Sequence, residues 1–145
     1  MDLLITNARY AVTSNGKDEI LENISIGIKD GKIAYIGTDK LDAAKTYDAS
    51  GKLIAPGLIN SHTHLGMSLL RGWAEGVDLQ GFLERVWAAE GAIMDEPTCE
   101  LGTELGALEA LLSGTTTTMD MYLNPAATHR GAVRVGLRHI AGPIF

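Results

Sequence analysis

The chain has 145 residues, 46% of them hydrophobic and 21% charged, with a formal net charge of −6. Such a composition suits a globular protein with one sizeable core, and the acidic balance excludes nucleic acid or an anionic membrane surface as the main partner. The single cysteine, Cys99, rules out an internal disulfide and fits a reducing compartment. With no basic-then-apolar leader and no apolar run of about 20 residues, the expected location is the cytoplasm.

Residues 1–53 read as β structure. Leu3 to Val12 is one strand, and Ile24, Ile26 and Ile28 alternate with polar or small residues in another. Asp30-Gly31 predicts a tight hairpin turn, with the return strand over Lys32 to Ile36. Asp48 to Gly51 is a further turn.

From residue 54 the rhythm changes. An apolar, buried-type strand is predicted over Ile54 to Asn60, followed by a Gly- and Ser-containing connection over 66–77. Asp78 caps a helix whose apolar stripe is Leu79, Phe82, Leu83, Val86 and Trp87. Pro97 suits the first turn of a second helix, with Leu101, Leu105, Leu108 and Leu112 on one side. Gly102, Gly106 and Ala107 admit a close neighbour, and Gly114 ends the helix. A β-branched strand runs from Thr115 to Tyr122, a short helix from Thr128 to Val135, and a third strand from Leu137 to Ala141. Strands alternating with helices indicate βαβ units on a parallel sheet. The domain organisation expected is therefore 1–53 and 54–145.

The most informative feature is His62-Thr63-His64 at the end of the apolar strand. Strand alternation turns both imidazoles to one face, where a pair can ligate a transition metal. A catalytic metal takes three or more protein ligands, and this chain offers few others.

Pro56-Gly57-Leu58-Ile59-Asn60-Ser61-His62-Thr63-His64 resembles the opening barrel motif of the amidohydrolase superfamily. Met67 to Gly72 and Gly114-Thr115-Thr116-Thr117, leading to Asp120-Met121-Tyr122, narrow the likeness. They point to the aminohydrolase branch: methylthioadenosine/S-adenosylhomocysteine deaminases, guanine deaminase and triazine hydrolases. The resemblance implies an α/β fold, a TIM-type (β/α)8 barrel with a small β-sandwich. Residues 1–53 would be the N-terminal part of the sandwich, and 54–145 the first three βα units. A whole barrel needs about 250 residues, so the rest of the barrel is an expected partner, with homo-oligomerisation once complete.

The resemblance also implies chemistry. His62 and His64 would bind a divalent metal, zinc by default and iron as the alternative. A metal-bound hydroxide would deaminate an amino-substituted purine, nucleoside or related heterocycle. The remaining ligands and the acid–base residues would lie on later strands, so the catalytic residues are unknown from this segment. Glu90 falls near a glutamate that holds ribose hydroxyls in nucleoside-type relatives, although a solvated helix-end glutamate is the other reading. Trp87 either lines the heterocycle's pocket or packs in the core. Asp120, His129, His139 and Arg71 read respectively as a structural hydrogen bond, a surface residue, a satisfied buried histidine and a salt-bridge partner. Met67, Met119 and Met121 read as packing. The absence of a charged side chain over 142–145 favours a neutral substrate. Two other whole-chain readings stand beside this one: an inactive fragment or interaction module, and a hydantoinase- or dihydroorotase-type cyclic amidohydrolase.

Overall fold

A computed structural model describes residues 1–17 and 19–142. The chain divides into two compact units, Met1–Pro56 and a second starting at Gly57.

In the first unit β1 (Leu3–Val12), β2 (Ile20–Lys29), β3 (Lys32–Gly37), β4 (Lys45–Asp48) and β5 (Leu53–Ile54) form a five-stranded sheet. The order is β3-β2-β1-β4, with β5 also on β1. The β2–β3 hairpin closes through Asp30 and Gly31 with φ of 52° and 71°, the paired positive values that a two-residue primed turn requires. Small residues fill the core, where Ala8, Ala11 and Ala49 meet Ile24 and Ile26. The parallel pairing of β1 with β4 joins distant residues, Leu3 with Lys45 through Thr6 with Asp48. Local periodicity carries no trace of it, and β4 was not expected.

In the second unit β6 (Leu58–Thr63), β7 (Thr115–Met121) and β8 (Arg138–Gly142) form a parallel three-stranded sheet in that order. Between β6 and β7 lie a 3-10 helix (Leu65–Leu70), α1 (Leu79–Ile93) and α2 (Glu96–Leu112). Helix α3 (Pro125–Arg134) joins β7 to β8. Asp78 and Asp95 cap α1 and α2, accepting from Gly81 N and Thr98 N at 2.9 Å each. Gly114 (φ +90°) and Gly136 (φ +91°) turn the chain out of α2 and α3.

Several expectations need correction. The single buried strand over Ile54 to Asn60 is two strands, β5 and β6, separated at Ala55-Pro56-Gly57. Neither flanks a buried run: Leu58 and Ile59 are 63% and 74% exposed. The connection after His64 contains the 3-10 helix, and α3 starts at Pro125, three residues early, because proline's fixed φ suits a first turn. On α2 the leucine side faces out, with Leu112 88% exposed. The buried side is Cys99, Gly102, Thr103, Gly106 and Ala107. A Cβ at Gly102 would strike the Gly66 carbonyl, and one at Gly106 would strike Ser68 and the Leu65 carbonyl. Close backbone approach of the 3-10 helix thus outweighs leucine burial in orienting α2. The α1 stripe is also open at Leu79, and only Val86 is fully buried. Met119 and Met121 are exposed rather than packed. The reading of a neutral end over 142–145 falls on residues 143–145, outside the described residues.

Candidate metal and substrate site

His62 lies in the last turn of pleat of β6, and His64 follows the strand as the residue preceding the 3-10 helix. Their rings sit edge to face with centroids 5.0 Å apart. His64 Nδ1 lies 2.5 Å from the Met121 carbonyl at the end of β7. A carbonyl only accepts, so Nδ1 carries the proton and Nε2 keeps its lone pair. This is the tautomer a metal-ligating histidine adopts when its other nitrogen donates to backbone. Among the described residues no cluster of three or more His, Cys, Asp or Glu would hold a metal ion. The two imidazoles, held edge to face, are of the donor type that zinc takes and are compatible with part of such a donor set.

His64 opens onto a cavity of about 390 Å³ lined also by Met67, Phe82, Trp87, Glu90 and Tyr122. Trp87 is 62% exposed, which excludes the core-packing reading. Glu90, on the same helix face three residues on, is half-buried rather than freely solvated. The structure thus brings His64, Trp87 and Glu90 to one concavity, with His62 beside His64. A wall rich in apolar side chains with one carboxylate and one imidazole suits a flat, partly polar small molecule.

Tyr122 was not singled out by sequence reasoning. Its ring passes over Gly66, where a Cβ would overlap it, and its hydroxyl is buried without a hydrogen-bond partner. Burial, and after it the nearby Glu90 carboxylate, push the phenol well above its ordinary value of 10.0. It stays protonated, a donor beside the Glu90 carboxylate. The missed signal is period two: Thr118, Asp120 and Tyr122 alternate to the buried face of β7.

Below the rim lies a second set of polar groups. Asp120 is 1% exposed, and its two oxygens each lie 3.3 Å from the Leu65 amide. His139 Nε2 approaches Asp120 Oδ2 at 3.2 Å, and its Nδ1 lies 3.3 Å from Nδ1 of exposed His129. The structural-hydrogen-bond reading of Asp120 and the satisfied-histidine reading of His139 match these contacts. Arg71 pairs with Glu109 at the rim of α2, at 3.0 Å through Nη1. That pairing raises the guanidinium further and holds the Glu109 carboxyl below its ordinary value.

Residues 53–143 match the model of the amidohydrolase family. The chain is 41% identical over 145 residues to a 5-methylthioadenosine/S-adenosylhomocysteine deaminase of Acetivibrio thermocellus, covering 95% of this chain and 33% of that protein. It is 39% identical over 139 residues to a 5'-deoxyadenosine deaminase of Methanosarcina acetivorans, covering 94% and 32%. Among solved structures, a zinc-complexed atrazine chlorohydrolase from Arthrobacter aurescens superposes with a TM-score of 0.89 at 28% identity, covering 97% of this chain and 35% of that one. An adenosine deaminase from Xanthomonas campestris with bound zinc gives 0.88 at 29% identity, covering 95% and 33%. The chain thus spans about a third of the length of the relatives it matches. Its mixed α/β fold is similar to theirs, and the match over the whole β6–β8 region leads to one conclusion: this chain belongs to the amidohydrolase family.

Proposed function

We propose that this chain is the opening segment of a metal-dependent aminohydrolase that deaminates an adenosine-type nucleoside. In this reading Gly57 onward forms the first three βα units of a TIM-type barrel, and the first unit is the N-terminal part of a small β-sandwich. The geometry at the ends of β6 and β7 supports it, since barrel active sites gather at the C-terminal ends of strands.

His62 and His64 would hold the ion, with zinc favoured by the imidazole donors and by the zinc in similar solved structures. When bound, the ion supplies a Lewis acid that lowers the pKa of a coordinated water toward neutrality. The chain's own residues bind and orient. His64 is fixed in one tautomer by the Met121 carbonyl. Trp87 offers an exposed indole face on which a purine stacks. Glu90 accepts two hydrogen bonds from a vicinal diol, the task a carboxylate does best. Met67, Phe82 and Leu123 exclude water from the same cavity.

The observation that carries this reading is the shared cavity of His64, Trp87 and Glu90. The full-length protein containing these residues is expected to bind zinc and release ammonia from 5'-methylthioadenosine or 5'-deoxyadenosine, the substrates named by its relatives. Replacing His62 and His64 together with alanine should abolish both. A zinc content unchanged by that double substitution would refute the site.

A further inference from the structure

The geometry points to Asp120 and His139 as positioning residues that hold the His64 segment from below. This inference deepens the proposed metal site, and it rests on that site only for its effect on metal affinity.

The contacts form an unbroken chain. His129, exposed on α3, meets His139 with ring centroids 5.5 Å apart. His139, whose side chain is fully buried on β8, meets Asp120 on β7. Asp120 meets the amide of Leu65, the residue that follows His64. Chemistry sets the direction of the bonds to Asp120. A carboxylate is an acceptor only, so His139 Nε2 carries a proton toward Asp120. Its other nitrogen, Nδ1, lies 3.3 Å from His129 Nδ1. Leu65 N–H donates to the remaining capacity of Asp120. Both Asp120 oxygens and both His139 ring nitrogens thus have a partner within 3.3 Å.

The consequence falls on His64. Asp120 fixes the backbone just after the histidine. The next residue on β7, Met121, presents the carbonyl that takes the imidazole's Nδ1–H. Backbone and ring are thus tied to consecutive residues of one strand. A buried carboxylate with no orienting donor would be free to turn away from Leu65, and His139 supplies that donor. Outer partners of this kind are worth about 10- to 100-fold in metal affinity.

The test compares Asp120→Asn, His139→Leu and His139→Gln in the full-length protein, with Thr118→Val as a buried control on the same strand. Two readouts are taken: imidazole 15N shifts of His64 in metal-free protein, and zinc affinity by chelator competition. Asp120→Asn and His139→Leu should move the His64 nitrogens away from a pure Nδ1–H pattern and weaken zinc about 10- to 100-fold. His139→Gln keeps a side-chain donor and should restore most of both. Thr118→Val, which removes a buried hydroxyl that has no partner, should leave the His64 nitrogens unmoved. Unchanged His64 shifts in both disruptive variants would overturn the inference. If Asp120→Asn does not fold, the leucine and glutamine pair at position 139 decides. Loss of zinc binding in the parent would refute the proposed function, while the metal-free nitrogen shifts would still decide this point.

Discussion

Glu90 and Trp87 sit one helical turn apart on α1, and both face the cavity beside His64. In the proposed reading their jobs differ, and so do the expected defects. Glu90→Gln keeps the shape but loses the charge-assisted bonds to a diol, worth about 1.5–3 kcal/mol. KM for a ribonucleoside should rise about 10- to 100-fold, while KM for its 2'-deoxy analogue should hardly change. Equal effects on both analogues, in steady-state kinetics of the full-length protein, would remove Glu90 from ribose recognition. The His-x-His pair, Trp87 and Glu90 were all legible as residues. The Asp120–His139 contact was not, because partners 19 residues apart leave no periodic mark in a chain.

At the scale of elements, local chemistry was readable and packing was not. Asp78 and Pro97 announce their helices, and Asp30-Gly31 announces its turn. The buried side of α2 defied the usual rule that leucine goes in. Glycines there let two backbones meet, so Gly102→Ala should destabilise by about 1–3 kcal/mol in denaturant unfolding, as overpacking does. The same substitution at solvent-facing Gly91, where a Cβ would meet nothing, should instead be neutral or stabilising. Helices α2 and α3 are also tied by ion pairs: Arg130 Nε to Glu100 at 3.0 Å, Arg134 to Glu100, and Arg134 to Glu104 at 2.5 Å. The Arg130 hydrogen bond, reinforced by the charge of Arg134, holds the Glu100 carboxyl below its ordinary 4.5. A depressed carboxyl contributes stability that is complete above the unfolded value and is lost as pH falls through the folded one. Melting temperature should therefore fall as pH drops below 4.5, and Glu100→Gln should flatten that fall. An unaltered pH profile would mean these surface pairs contribute nothing measurable, a common outcome for exposed pairs.

At the scale of the molecule, the parallel sheet is open. Strands β6 and β8 are paired on one side only among the described residues. Met119 and Ile140, adjacent across β7 and β8, are 51% and 53% exposed. Unpaired backbone beside apolar side chains recruits further strands. The 145-residue polypeptide on its own should associate with rising concentration in sedimentation experiments, and Ile140→Lys should reduce that association. A monodisperse monomer at all concentrations would contradict this. The alternation of strands and helices made the α/β class legible. The first compact unit ends at Pro56, where Pro56 and Gly57 break the β5–β6 run.

The hook that restrains the His64 ring is a peptide oxygen, not a side chain. Position 121 can therefore change its side chain without releasing the imidazole. Since Met121 also lines the cavity, what the pocket selects and how its histidine is held are inherited separately. A lineage of such proteins is free to retune its preferred molecule at this position through many substitutions, while the tether underneath stays the same.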